Sequence, residues 1–134
     1  GIERDLFAGN VTMRDVPELW RVRMQELLGV TPPTDREGCM QDVHWTDGAF
    51  GYFPCYTLGA IAAAQLFAAA SANPAVPAGL AIGDFKPLLA WLVEHVHSRA
   101  SSTSTDDILT AATGRSFDPH AFVAHLKHRY LHDA

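Results

Sequence analysis

Residues 15–29 read DVPELWRVRMQELLG and carry the signals of a complete amphipathic helix. Asp15 can cap its beginning, Pro17 is tolerated in a first helical turn, and Gly29 suits its end. Between these positions the apolar side chains recur at helical spacing, as Leu19, Trp20, Met24, Leu27 and Leu28. The stretch therefore predicts an α-helix of ordinary length with one apolar face.

Helical signals of the same kind recur on both sides of this stretch. Residues 2–8 look like the tail of a helix, and their abrupt beginning is a first hint that the chain is a fragment. Further helices are predicted at about 52–72, 84–99, 105–113 and from Asp118 to the end. The predicted inner faces of two of them carry Phe85, Leu88, Leu89, Leu92, Val93, Val96, Phe122, Val123, Leu126 and Tyr130.

A connector rich in proline and glycine is predicted at residues 73–83. The chain shows no alternating strand pattern, internal repeat or low-complexity tract. The predicted fold is therefore all-α, a helical bundle.

Composition narrows the class of protein. The 134 residues are 48% hydrophobic, which suffices for the core of one modest domain. The longest apolar stretch, residues 58–72, is interrupted by Gly59 and Gln65, so we expect no membrane span. The first five residues are too charged for a secretory signal, which points to the cytosol.

Charge and cysteine content exclude two further classes. Fifteen acidic residues stand against ten basic ones, for a net charge of −5, and the basic residues form no cluster. We therefore expect no nucleic-acid partner. Cys39 and Cys55 are too few and too far apart to suggest a disulfide framework, and both are predicted to be free and mostly buried thiols.

The segment from about residue 31 to 51 differs from the rest. It mixes prolines, glycines and polar residues with Trp45 and Phe50, and it shows no helical or strand pattern. A long irregular loop in an otherwise helical chain is more often functional than decorative. This loop is the first place to look for a site.

Within the loop, residues 38–45 read GCMQDVHW, and residues 51–56 read GYFPCY shortly afterwards. In this pattern, Gly-x-x-Gln-Asp-x-His-Trp followed by Gly-Tyr-Phe-Pro-x-Tyr, the chain resembles the carboxypeptidase Taq family of metallopeptidases. The flanking sequence, from LGVTPP at 28–33 to TGR at 113–115, agrees as well. The resemblance covers essentially the whole chain, and five fixed positions within eight residues make it specific.

The resemblance implies a larger parent protein. Members resemble large all-helical proteins, often homodimers, that trim single residues from peptide C-termini with a divalent metal, usually zinc or cobalt. The metal is held by His-Glu-x-x-His and a later Glu, and His-Glu-x-x-His does not occur in this sequence. We therefore expect residues 1–134 to form one helical C-terminal segment of a metallocarboxypeptidase, inactive on its own and without metal ligands.

What this segment can supply is the substrate side of the site. A neutral phenol or an imidazole aimed at the developing negative charge on a carbonyl oxygen stabilises it. His44, Tyr52 and Tyr56 are the candidates, and Tyr56 ranks above Tyr52 by analogy with related helical zinc peptidases. The predicted substrate-binding residues are Gln41, Asp42, Trp45, Gly48 and Gly51, of which Gln41 and Asp42 could instead orient His44.

Structural interpretations of the same residues remain open. His44 and Trp45 could simply pack and hydrogen-bond within the loop. Asp42 could cap a turn, and Tyr52 could belong to the core with its hydroxyl satisfied by a neighbour. Cys55 is predicted to be a small buried apolar residue.

Two alternatives concern the chain as a whole. His125, His128 and His132 on the last helix could bind a metal, although no Glu stands in the metalloprotease position and the helix end frays. The chain could also be a stand-alone helical binding or scaffold domain without catalysis. An encoding frame that continues upstream into His-Glu-x-x-His would decide between this alternative and the enzyme fragment.

Overall fold

The computed structural model describes residues 1–131, and within them the regular structure is entirely helical, as predicted. The α-helices are α1 Ile2–Phe7, α2 Val16–Leu28, α3 Pro54–Ser71, α4 Ala75–Ala81, α5 Lys86–His95, α6 Thr105–Thr113 and α7 Pro119–Tyr130. Single turns of 3-10 helix occupy Asp35–Glu37, Cys39–Gln41 and His97–Arg99. The chain divides into two compact units, one from Gly1 to Pro54 and one from Cys55 onward.

The first unit holds α1, α2 and the long loop. Helix α2 begins and ends where the sequence predicts, and Gly29 closes it in the left-handed conformation at φ 69°. Asp15 stands at the N-cap position, but its side chain does not cap the helix as predicted. Its carboxylate accepts from the backbone N–H and hydroxyl of Thr12, at 2.8 and 2.7 Å, and makes no side-chain bond to the helix. These bonds lower the pKa of Asp15.

The second unit contains α3 to α7. Among the described residues its buried apolar side chains are Ile61, Ala64, Ala70, Val76 and Leu109. Gln65 is buried with them at 4% exposure, and the cost of burying an amide is offset because both of its polar ends are hydrogen-bonded.

Helix α4 replaces the irregular connector predicted at residues 73–83. Pro77 is its third residue, where a helix needs no backbone N–H donor, so the proline does not interrupt it. Gly79 is buried, and a Cβ there would lie 2.6 Å from the carbonyl oxygen of Asp84. Glycine at this position therefore lets the chain turn closely from α4 into α5. The glycine in this segment thus serves close packing as well as turns.

Two predicted helical features need correction. Helix α5 ends at His95 rather than near residue 99, and a 3-10 turn follows it. The predicted inner faces are also wrong in part, because one side of each helix lies open to solvent. Phe85, Leu89, Val93, Val123, Leu126 and Tyr130 are exposed.

Helix α3 is the one helix in the described part of the chain that is long and apolar enough to cross a membrane by length and composition. The sequence predicted no membrane span here, because Gly59 and Gln65 interrupt the apolar stretch. A single such helix is weak support for a membrane span, since the central helix of a water-soluble protein meets the same criteria.

Candidate functional site

His44 and Asp42 form the polar centre of the loop in the first unit. Oδ1 of Asp42 accepts two bonds from His44, one from the backbone N–H at 3.0 Å and one from ring atom Nδ1 at 2.8 Å. The first bond closes a tight turn, and the second fixes the plane of the imidazole. Because Oδ1 of Asp42 can only accept, this contact places a proton on Nδ1 of His44.

Two aromatic side chains from the end of the loop lie against the imidazole. The ring of Tyr52 stacks on His44 with centroids 5.9 Å apart and planes 25° from parallel. Phe53 meets His44 edge-on at 5.2 Å. The structure thus brings two of the predicted catalytic residues, His44 and Tyr52, together. The alternative that Tyr52 is a core residue is wrong, because half of its side chain is exposed.

The side chain of Trp45 contacts different residues from those that His44 contacts. Its ring stands edge-on to Trp20 of α2 at 6.3 Å and stacks with Phe50 at 6.0 Å. Phe50 in turn meets Phe7 of α1 edge-on at 5.2 Å. This row of rings attaches the loop to both helices of the unit. Whether Trp45 also contacts substrate stays a prediction.

Glu3 of α1 holds the same loop by hydrogen bonds. Its Oε1 accepts from the indole Nε1 of Trp45 at 2.7 Å, and its Oε2 accepts from the backbone N–H of Gly51 at 2.8 Å. In the sequence, Glu3 is only one of several charges among the first five residues. No local pattern marks it, because its partners lie 42 and 48 residues away.

The loop also bonds to itself. Gly48 and Gly51 have φ of 72° and 74°, in the left-handed region that favours glycine. The N–H of Gly48 donates to the carbonyl of Trp45, and that of Gly51 to Glu3. Gln41 donates from Nε2 to the carbonyl of Arg36 at 2.6 Å. These residues shape the loop in this chain, and their contact with a peptide stays a prediction.

Tyr56 lies in the second unit, in the first turn of α3, and its side chain is exposed. Neighbouring Cys55 is exposed too and Cys39 is partly buried, so the prediction that Cys55 is buried is wrong. Both thiols are free, as expected.

Gln65 organises the loop between α6 and α7. Its Nε2 lies within hydrogen-bond distance of the hydroxyl of Thr113 and of the carbonyl oxygens of Arg115 and Ser116, at 2.9 to 3.1 Å. Its Oε1 accepts from the N–H of Asp118 at 3.0 Å. The sequence showed Gln65 only as a polar break in an apolar run.

Asp118 repeats the Asp42 geometry at the beginning of α7. Its Oδ1 accepts from the backbone N–H of His120 at 2.9 Å and from Nδ1 of His120 at 2.7 Å. These two hydrogen bonds, and to a smaller extent the charges of His120 and Arg115, lower the pKa of Asp118.

Among residues 1–131, no three His, Cys, Asp or Glu side chains lie together in a way that could hold a metal ion. His125 and His128 lie on α7, and His132, the third member of the alternative site on that helix, lies outside the described residues. The described residues therefore offer no ligand set for the metal that the family resemblance implies.

Nearly the whole chain matches one protein family. The sequence profile described as carboxypeptidase Taq (M32) metallopeptidase matches residues 1–130. Among curated proteins, carboxypeptidase 1 of Bacillus subtilis is 41% identical over 130 residues. Thermostable carboxypeptidase 1 of Thermus thermophilus is 39% identical over 131 residues. In both cases the match takes in 96% of this chain but only 26% of the relative.

Solved structures agree with the sequence comparison. The structure described as Trypanosoma cruzi metallocarboxypeptidase 1 superposes with a TM-score of 0.88 and 41% identity. The superposition covers 96% of this chain and 28% of the other. An M32 carboxypeptidase from Deinococcus radiodurans R1 superposes with a TM-score of 0.87 at 35% identity, over 96% of this chain and 26% of its own. The chain thus spans about a quarter of the length of the proteins it matches.

Proposed function

Because this chain belongs to the carboxypeptidase Taq (M32) metallopeptidase family, we propose that it is the C-terminal region of a metal-dependent carboxypeptidase. The parent enzyme would remove single residues from peptide C-termini. The observation that carries the proposal is the turn in which Asp42 holds Nδ1 of His44 while the Tyr52 ring stacks on the imidazole. This turn lies within the most specific motif of the chain.

The proposed role of His44 is to donate a hydrogen bond to the carbonyl oxygen of the scissile peptide. In this role both ring nitrogens carry a proton: Nδ1 donates to Asp42, and Nε2 donates to the carbonyl oxygen. A donor aimed at the position of the developing oxyanion strengthens its interaction as the charge forms, and this lowers the barrier rather than merely binding substrate.

A tyrosine hydroxyl would be the second donor. Geometry supports Tyr52, which stacks on His44, and family resemblance supports Tyr56. Gln41, Asp42, Trp45, Gly48 and Gly51 are proposed to shape the peptide-binding side of the same loop. The hydrogen bonds of Gln41, Gly48 and Gly51 within the unit would keep that side in one conformation before substrate arrives.

The metal is proposed to be held elsewhere in the parent protein. The family is one of metallopeptidases, and we propose zinc or cobalt as the ion. The described residues of this chain offer no site for it, so this segment alone is proposed to be inactive. We further propose a cytosolic homodimer that acts on peptides, with no nucleic-acid or membrane partner. The net charge of −5 supports the first of these exclusions.

The test is a peptide-trimming assay on the full-length protein, followed by mass spectrometry. We expect stepwise loss of single residues from peptides with a free C-terminal carboxylate. Two matched controls separate the possible activities: an N-acetylated peptide should be trimmed, and a C-amidated one should not. Chelation should abolish the activity, and added zinc or cobalt should restore it.

Two outcomes would contradict the proposal. Trimming of the amidated peptide would show a different peptidase class. An intact full-length protein without any trimming, and without His-Glu-x-x-His upstream, would favour the stand-alone binding or scaffold domain instead.

A further inference from the structure

Glu3 bonds to the two ends of one short segment of the loop. The donors to its oxygens are Nε1 of Trp45, at 2.7 Å, and the backbone N–H of Gly51, at 2.8 Å. Trp45 directly follows His44 in the chain, and Gly51 directly precedes Tyr52. The Glu3 carboxylate therefore holds the chain neighbours of His44 and Tyr52, the two residues whose rings stack on each other.

This contact places the His44 and Tyr52 rings relative to α1. The segment between them contains two glycines with positive φ, Gly48 and Gly51, and glycine gives a loop more conformational freedom than any other residue. Something must offset that freedom if the two rings are to keep one separation. Glu3 does so at both ends at once, and the rings of Trp20 and Phe50 hold Trp45 from the other sides.

Only a carboxylate suits both donors. Trp45 and Gly51 each present an N–H, so the group between them must accept twice and needs no proton of its own. A glutamine has the same length, but it would turn its NH₂ group toward one of the two donors. One of the two bonds would then be lost and replaced by a contact between donors.

We propose that Glu3 is a positioning residue for the active site, which sets the separation of the His44 imidazole and the Tyr52 phenol by holding Trp45 and Gly51. The role in catalysis rests on the function proposed above. Glu3 itself does not touch the substrate. Its effect reaches the reaction through the loop, so it should alter turnover more than the affinity for peptide.

The test uses Glu3→Gln in the full-length protein, with Glu26→Gln as the matched control. Glu26 is exposed on α2 and pairs only with nearby Arg23 in the described structure, so it undergoes the same chemical change away from the loop. The first readout is hydrogen–deuterium exchange of peptides from 44–53, which does not depend on enzyme activity. We expect exchange there to rise roughly tenfold in Glu3→Gln and to stay unchanged in Glu26→Gln.

The second readout separates kcat from KM. We expect kcat of Glu3→Gln to fall about tenfold, as when a partner that orients a functional histidine is lost, with KM changed by less than about twofold. Trp45→Phe removes one of the two donors and should raise exchange in the same segment. The double variant Glu3→Gln/Trp45→Phe should show less than the product of the two single effects, because both remove one shared bond.

The outcomes distinguish the two proposals. Unchanged exchange at 44–53 in Glu3→Gln overturns the positioning role, whatever the activity. Raised exchange in a protein with wild-type kcat also overturns it, since the loop would then move without consequence. If Glu3→Gln does not fold, Trp45→Phe decides by the same exchange measurement. A wild-type protein with no peptidase activity refutes the proposed function, while the exchange result still tests the hold of Glu3 on the loop.

Discussion

The chain contains the same turn twice, once in each compact unit. Asp42-Val43-His44 and Asp118-Pro119-His120 both place an aspartate two residues before a histidine. In each, one carboxylate oxygen accepts from the backbone N–H and from Nδ1 of that histidine, at 3.0 and 2.8 Å in the first turn and at 2.9 and 2.7 Å in the second. As hydrogen-bonded units the two turns are nearly identical.

Their surroundings are not. The side chains of His44 and Asp42 are 20% and 9% exposed, and two aromatic rings lie against the imidazole. The side chain of His120 is 91% exposed, and Asp118 serves as the N-cap of α7. A hydrogen bond or charge is worth more where water is partly excluded and the groups are held in place. The Asp-x-His turn alone therefore indicates nothing about chemistry, and its neighbours decide between an active-site group and a helix cap.

The largest expected difference between the two turns is in activity. His44→Ala in the full-length protein should lower kcat/KM for peptide trimming about 10²–10³-fold, the usual cost of losing one oxyanion donor. His120→Ala is the matched control and should stay within about twofold, because its ring is in solvent. Steady-state assays on both variants check this. Equal effects of the two substitutions would remove the distinction between the turns.

The second turn should matter for stability instead. Gln65 holds the loop before it, and Gln65→Ala would remove its hydrogen bonds to the part-buried carbonyl oxygens of Arg115 and Ser116. We expect a loss of about 2–3 kcal/mol in the free energy of unfolding. Gln25→Ala removes an exposed amide of α2, whose side-chain oxygen accepts from the Thr31 hydroxyl at 2.7 Å, and should cost less, about 0.5–1 kcal/mol. Urea denaturation followed by circular dichroism measures both.

The reverse result would be informative. If Gln65→Ala unfolds as easily as Gln25→Ala, the bonds from α3 to the α6–α7 loop contribute no net stability. If it changes KM or kcat while leaving stability intact, the second turn belongs to the functional region, and the contrast drawn from exposure is wrong.

A smaller effect is expected from the charge that orients His44. Asp42→Asn keeps an oxygen that can accept from the backbone N–H of His44 but loses the negative charge beside the ring. Turnover should fall roughly tenfold. Asp118→Asn makes the same change in the exposed turn and should leave turnover unaltered. A pair of kcat values decides, and a drop in both variants would point to a general effect of aspartate loss on folding.

The fold was largely predictable because its signals are local. Gly29 ends α2, Gly114 ends α6 and Asp118 begins α7 as their sequence contexts predict. The failures have physical causes of two kinds. Helix α4 forms because tertiary packing buries Val76 and Gly79 in a segment whose composition favours turns. Phe85 and Tyr130 are exposed although helical periodicity placed them on inner faces, because periodicity shows which residues share a face and not whether that face is covered.

The candidate site was predictable only in part. A motif within eight residues marked His44 and Asp42, and the structure brings these two and Tyr52 together. Glu3 and the role of Gln65 could not be predicted, because each acts on partners more than forty residues away. A hydrogen bond at that separation leaves no periodicity in one sequence, and only the folded chain shows it.

The smallest predicted effect is the pH dependence of the exposed turn. Hydrogen bonds from the backbone and ring of His120, with smaller contributions from the charges of His120 and Arg115, hold the pKa of Asp118 below the ordinary value of 3.8. The unfolded chain takes up this proton more readily than the folded chain. The carboxylate therefore contributes stability that is present above pH 3.8 and is lost as the pH falls through the lower, folded-state pKa.

Asp118→Asn removes that titration and keeps an oxygen able to cap α7. The difference in unfolding free energy between wild type and variant should thus be constant near neutral pH and should shrink toward zero as acid is added below about pH 4. Asp15, whose pKa is also lowered, is present in both proteins and cancels in the difference. Denaturation of both proteins at several pH values measures it. A difference independent of pH would mean that Asp118 caps α7 through its geometry alone and that its negative charge adds nothing to the free energy of unfolding.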